Sequence, residues 1–490
     1  MPPALRSRVV VGLDLGASTA RAAAFDLTGR CLAAEEAAYR HAAPHPGWAE
    51  ADAESWWRAT RDLLRRIGGA VGRDSVEAVA ITGEAPTLLP VDAHGHPLRA
   101  AILATDARSA GEVAPMAARL PEAERIGGNR LHAHSLGPKL AWLRRHEPEL
   151  YGAAAAVLQS HSYPVLRLTG RAVTDHSSAA LCGPLYDVRR RRWSDDACTR
   201  LGVAPSLLPE IAPAHAIAGR VTASAARDTG LHEGTPVVVG GADVAAATLA
   251  AGVTEPGEAC LMMGATGSLV MPFTDGAFDT RLINGHHVGC ERYLAIGATL
   301  AGAVLDWFRE AMAAGASFDA LDAEAAAAPV GAGGLALVPY LQGQRTPIWD
   351  AAARGAFVGL SLSHGRGHLY RAALEGVAVS FRHCLEVARE HGLELREVIA
   401  VGGGARSALW RQILCDALGT PLRYLPDSPG APAGAAILAG LATGALADVG
   451  AAKAWRGRML EHRPDPAATE TYARLLTERV RRYPALRAIA

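Results

Sequence analysis

Four glycine-rich stretches hold the residues best suited to chemistry. "DLGASTAR" (residues 14–21) sets Asp14 ahead of Gly16, Ser18, Thr19 and Arg21, and "MGATGS" (263–268) sets Gly264, Thr266 and Gly267 in a similar outline. Glycine lets the backbone approach phosphate oxygens, exposed N–H groups form a concave anion site, and Ser/Thr hydroxyls add donors. Asp14 would be repelled by bare phosphate but suits a direct or water-mediated partner of Mg²⁺. "VGGGARSALWRQ" (401–412) runs from strand to helix and offers Gly402, Gly403, Gly404 and Ser407 as a surface for a flat base and ribose. Taken singly, each stretch is also an ordinary turn or βα connection, where Gly, Ser, Thr and Asp are common. Together they favour phosphate chemistry.

Asp243, in "VVVGGADVAA", is the sharper candidate. A carboxylate between an apolar strand and an Ala/Val/Thr/Leu helix is largely desolvated, which is costly without a partner or a task. Accepting the proton of a hydroxyl nucleophile is such a task. Capping the following helix is the plainer one, and the two are compatible.

Only two lysines occur, Lys139 and Lys453, and neither sits in a P-loop or a V-A-I-K context. Both common nucleotide-kinase designs are therefore excluded. If ATP is handled, magnesium, backbone N–H groups and arginine must neutralise the phosphates. Lys plus Arg equals Asp plus Glu at 49 each, so net charge suggests neither nucleic-acid nor membrane partners. The basic run "RRRRW" (189–193) reads as a solvated hairpin turn. Seven scattered cysteines without C-x-x-C spacing argue against a disulfide framework or zinc site and suit a reducing cytosol. The N-terminus lacks a long apolar segment, so no secretory signal is expected, and a cytoplasmic location follows. "PAGAAILAGLATGALA" (432–447) is rich in Ala and Gly and is predicted to form a buried helix pair, not a membrane span.

At 490 residues the chain needs at least two cores. Strands are predicted over 8–15, 19–26 and 31–39, with "LTGR" (27–30) as a tight turn. A helix starting near Asp52 carries Trp56, Trp57, Leu63, Leu64 and Ile67, and "VEAVAIT" (76–82) is a strand entering the loop "GEAPT". Hairpin strands followed by alternating helix and strand imply a mixed sheet. The β-turn-β outline recurs at 258–272, which suggests duplicated α/β domains.

These residues resemble the FGGY family of carbohydrate kinases, which belong to the duplicated ribonuclease-H-like ATPases with actin and hexokinase. The carriers are "DLGASTAR", "GPKLAWLRRHEPE" (137–149), the "TDHSS…DVRRRRW" segment (174–193), "GGADVAAATLAAG", "MGATGS" and "PYLQGQRTPIWDAAARGAFVGLSLSHGRGHLYRAALEGVA" (339–378). The resemblance implies an α/β protein of two actin-like domains, 1–245 and 246–490, with a cleft between them. The γ-phosphoryl group of Mg-ATP would pass to a hydroxyl of a small sugar or polyol. Asp243 would be the general base, and Asp14 and Asp243 would hold Mg²⁺. Gly16, Ser18, Thr19, Arg21, Gly264, Thr266 and Gly267 would hold phosphates, with Gly302 and residues 402–404 and 407 towards adenosine. Glu84, Asp106, Arg108 and Asp243 would bind acceptor hydroxyls. Homodimers are common in the family and are one expected arrangement here.

Several positions depart from the pattern. Ala17 and Ala265 replace hydroxyl residues, Gln344 replaces glutamate, Thr105 lies near a common tryptophan, and Ala85-Pro86 replaces the acceptor-contact pair of glycerol kinases and xylulokinases. The "DVRRRRW" segment resembles pentulose kinases, so a ketopentose such as xylulose or ribulose is the expected acceptor. The altered acceptor loop motivates a second reading, a catalytically impaired relative that binds sugar or nucleotide for regulation. Asp106 and Arg108 have their own alternative, a surface ion pair of little worth.

Overall fold

The computed structural model describes residues 8–274 and 278–489, and the expectation drawn from residues 1–7 lies outside them. The chain forms two compact units. The first comprises Met1–Thr254, Asn284–Tyr293 and Pro429–Arg456, and the second comprises Glu255–Ile283, Leu294–Ser428 and Gly457–Ala490.

The first unit is built on a mixed six-stranded sheet. Its order is Ile217–Arg220, Pro236–Ala242, Val76–Gly83, Val9–Leu15, Thr19–Asp26 and Cys31–Ala38. Val9–Leu15 runs antiparallel to Thr19–Asp26 and parallel to Val76–Gly83, which is itself parallel to Pro236–Ala242. Val9, Val11, Leu13 and Leu15 alternate into a core completed by Trp56, Trp57, Leu63, Leu64 and Ile67. Those residues share one face of the helix Ala53–Val71, whose N-cap Asp52 accepts from Glu54 N.

The other face of the sheet carries the helix Ala431–Ala442, buried along nearly its whole length. One helix thus stands where the sequence suggests a pair, because the chain leaves it through Gly444 in the left-handed region (φ 69°). Its approach to the sheet has no room for a side chain: a Cβ on Gly12 would fall 1.8 Å from Pro432 O. Gly434, on the same helix, lies equally close to the helix Asp243–Ala250, where a Cβ would fall 1.9 Å from Ala246 O.

The second unit repeats the outline. Glu258–Met263 forms an antiparallel hairpin with Thr266–Phe273 and runs parallel to Glu397–Val401. The helix Arg366–Arg389 crosses its core, burying Leu374, Val377 and Phe381 beside Phe308 and Trp410.

The basic run folds as expected, with Tyr186–Asp187 pairing antiparallel with Arg192–Trp193 around the intervening arginines. All seven cysteines are free. No helix among the described residues is long and apolar enough to cross a membrane.

Replacing Gly12 by Ala is expected to force the helix Ala431–Ala442 away from the sheet. An overpacking cost of about 1–3 kcal/mol follows, seen as a lowered melting temperature with the fold retained. A wild-type melting curve would refute the close contact.

Candidate active site

Strand order alone collects three carboxylates. Asp14 sits near the end of Val9–Leu15, Glu84 directly follows Val76–Gly83, and Asp243 directly follows Pro236–Ala242. These strands are parallel neighbours, so all three groups emerge at the carboxyl ends of one part of the sheet, where open α/β sheets place their ligands. Register fixes the rest: Asp14 stands beside Thr82, and Gly83 beside Ala242.

The two glycines before Asp243 do not form a turn after the strand, as the sequence suggests, but a bulge within it. Gly240 adopts φ 77°, and a Cβ there would lie 1.7 Å from Ile81 O. The N-cap is Ala242, not Asp243; Asp243 is the first helical residue, and its Oδ1 accepts from Val244 N at 2.6 Å.

Burial, and then the charges of Asp14 and Glu84, raise the proton affinity of Asp243. Burial raises that of Asp14 too, against a 2.9 Å hydrogen bond from Thr82 Oγ1 and the charge of Arg21. Glu84 is raised by burial and partly offset by Lys139. A crowd of desolvated carboxyls invites a cation. Among the described residues, no group of three or more His, Cys, Asp or Glu side chains is arranged to hold a metal. A divalent ion here would therefore draw most of its ligands from phosphate and water, as Mg²⁺ commonly does.

Tyr39 is the residue the sequence reading missed. Its hydroxyl donates to Gly16 O and its N–H to Ser18 O, while Gly16 N closes the turn onto Thr19 O. The carbonyls of Gly16, Ser18 and Thr19 are thus engaged, which takes three groups that would repel an anion out of play. After burial, the charges of Asp14, Glu84 and Asp243 hold the Tyr39 phenol in its protonated form. Arg21 is largely exposed, 3.9 Å from Glu36.

The second unit treats its own turn alike. Gly264 O accepts from Gly302 N, and Ala265 O accepts from Ala301 N and Ala303 N, at 2.9–3.1 Å. Gly302 thus supports the turn from behind, where a Cβ would fall 2.8 Å from Gly264 O. Thr266 is exposed, whereas Gly267 is buried against Phe381. Gly402 (φ 94°) and Gly404 press on Met263, the residue before that turn, while Gly403 faces open space. Ser407 caps the helix Ala408–Leu418 by accepting from Trp410 N at 3.0 Å.

Asp106 and Arg108 do not form a surface pair. Both side chains are fully buried, and Arg108 donates to Asp106 through Nε at 2.9 Å and a second nitrogen at 2.8 Å. Arg108 also pairs with Glu50 at 2.7 Å and lies 3.6 Å over the Trp48 ring, while Asp106 accepts from Ala49 N. The pair holds the loops around it together. Lys139 does the same for the acceptor loop: fully buried, it donates to Pro86 O at 3.1 Å and Leu103 O at 2.6 Å.

Comparison with known proteins fits this geometry. Residues 9–250 match the model for the N-terminal domain of the FGGY family of carbohydrate kinases, and residues 259–443 match the model for its C-terminal domain. The chain belongs to this family. It is therefore a phosphotransferase acting on a sugar hydroxyl, with the family's pair of actin-like domains. It is 34% identical over 439 residues to a xylulose kinase of Escherichia coli, covering 88% of this chain and 90% of that one. It is 30% identical over 462 residues to an autoinducer-2 kinase of Yersinia enterocolitica, covering 89% of this chain and 86% of that one. The crystal structure of a xylulose kinase from Rhodospirillum rubrum superposes with a TM-score of 0.90 at 34% identity, covering 98% of this chain and 100% of that one.

Burial lowers the Lys139 ammonium to about 7 from an ordinary 10.5. A base depressed on folding binds fewer protons folded than unfolded between those values, so its contribution to stability grows as pH rises through that window. The stability difference between wild type and Lys139→Met is expected to shift in favour of wild type from pH 7 to pH 9, measured by denaturant unfolding. A difference independent of pH would show that Lys139 stays charged in the fold.

Proposed function

We propose that this protein is an ATP-dependent pentulose kinase, with a ketopentose such as xylulose or ribulose as acceptor. The observation that carries the reading is the row of half-buried carboxyls at the ends of three parallel strands. It is supported by the xylulose kinases among the relatives.

Asp243 takes the proton of the incoming hydroxyl as that oxygen bonds the γ-phosphorus and the bond from the γ-phosphorus to the departing ADP oxygen breaks. Phosphoryl transfer depends mainly on in-line placement and charge neutralisation. In the first unit the 16–19 turn offers phosphate its N–H groups, with Ser18, Thr19 and Arg21 as further donors; in the second the 264–267 turn offers its own, with Thr266. Asp14 and Asp243 would hold Mg²⁺, which when bound neutralises phosphate charge. Residues 402–404 lie towards the adenosine end, Gly403 being the one open to a ligand. Glu84 meets the acceptor hydroxyls directly, whereas Asp106 and Arg108 keep its surroundings in place. Scattered free thiols agree with a cytosolic enzyme.

The acceptor is a finer matter than the family. Ala85-Pro86 replaces a polar contact pair, and one relative of similar identity is named for a different substrate. Discrimination follows from which buried polar groups would be left unpaired, so a change there bears on acceptor choice first. A second sugar or polyol is accordingly the competing reading. A purely regulatory role has little support, since Asp14, Arg21, Asp243 and Thr266 are all retained.

ADP release measured over a panel of ketoses, aldoses and polyols is expected to be largest with a ketopentose. Equal ADP release with and without every acceptor would defeat the kinase reading. Asp243→Asn is expected to lower turnover by about 10²- to 10⁴-fold while MgADP binding persists; wild-type turnover in this variant would remove Asp243 from the role.

A further inference from the structure

Asp243 hangs from a backbone that something must hold still, and its own side chain does not do so. The preceding residue is the point of attachment. Ala242 N donates to Ser177 Oγ at 3.0 Å. Ser177 Oγ in turn donates to Asp175 Oδ2, which also accepts from Ser177 N at 2.7 Å, while Asp175 Oδ1 accepts from Ser178 N at 3.1 Å. Asp175 and Ser177 are buried. Asp175 also lies against the backbone of Gly241, where a Cβ would fall 2.8 Å from Oδ2. Ser177 thus holds the Ala242 N–H, and Asp175 packs against Gly241, so both residues that precede the base are fixed from this side.

The same region reaches the acceptor loop. Ser160 Oγ donates to Glu84 O at 2.7 Å, and Gln159 Oε1 accepts from Thr87 N at 2.7 Å. Between Ser160 and Asp175 stands His161, fully buried, with Nε2 3.8 Å from Asp175 Oδ1. Side chains of this buried region thus reach the Glu84 carbonyl through Ser160 and, separately, the Ala242 N–H through Ser177.

We propose that Ser177, anchored by Asp175, is a positioning residue that aims the Asp243 carboxylate at the acceptor hydroxyl. The inference rests on the reading of Asp243 as the base. Ser177 touches neither substrate nor reacting atoms. Its hydroxyl accepts from the Ala242 N–H and donates a hydrogen bond to the Asp175 carboxylate, a dual role that alanine cannot fill. Alanine leaves the Ala242 N–H without its partner, while Asp175 Oδ2 keeps only the Ser177 N–H.

The test compares Ser177→Ala, Ser177→Cys and Asp243→Asn in the full-length protein, with xylulose or whichever panel acceptor gives the highest rate. A displacement of about 1 Å at a reacting group costs up to ~100-fold. Ser177→Ala is expected to lower kcat about 10- to 100-fold, with KM for ATP and for the sugar and the affinity for MgADP close to wild type. Ser177→Cys, nearly isosteric and a weaker hydrogen-bonding group, is expected to fall between the two. Wild-type kcat in Ser177→Ala beside an inactive Asp243→Asn would overturn the positioning role and leave the base in place. A parallel loss of kcat, substrate affinity and melting temperature would also overturn it, as a merely structural role predicts. If the alanine variant fails to fold, the cysteine variant decides alone: reduced kcat at unchanged KM supports the role, and unchanged kcat overturns it. Wild-type kcat in Asp243→Asn would instead bring down the base assignment itself.

Discussion

Negative charge without an amine to answer it governs the first unit. Asp14, Glu84 and Asp243 are brought to one end of the sheet by three parallel strands, and burial raises the proton affinity of each. The lysine that lowers Glu84 is itself buried and committed to two carbonyls. Such a cluster is unfavourable by itself, since desolvated like charges raise one another's proton affinity. On the proposed reading, a divalent ion and its phosphate ligands would relieve that repulsion.

The phosphate turns answer the complementary problem. An anion site made of backbone works only if the carbonyls of the same backbone are engaged elsewhere. The Tyr39 hydroxyl and N–H and the Gly16 N–H do this in one unit, and the segment 301–303 does it in the other. Two different devices reach one result, and under the proposed phosphate role main-chain donors would stand in for the hydroxyls absent at Ala17 and Ala265.

What could be read from the sequence was local. The hairpins, the Trp-bearing helix after Asp52, the strand–GGG–helix loop and the arginine turn all announce themselves through periodicity or turn residues. What escaped depends on partners distant in the chain. Tyr39 ends an ordinary strand, and nothing nearby says that its hydroxyl closes on Gly16. Arg108 looks like half of a loop ion pair until Trp48 and Glu50 enclose it. The glycines 240 and 241 read as a turn, whereas close approach to Ile81 O and Asp175 makes them a bulge. Asp175 and Ser177 lie in a recognisable motif, yet their meeting with Ala242 is fixed only by how the strands assemble.

The helix Ala431–Ala442 covers one face of a sheet whose first strand begins at Val9. More than four hundred residues therefore leave the ribosome before that face acquires its cover, and contacts of such long range form slowly. Until then Val10 and its neighbours present an apolar surface to the cell. Maturation of the first unit thus waits on translation of nearly the entire message, so a nonsense codon anywhere upstream of this helix would yield an aggregation-prone fragment and not a smaller working domain.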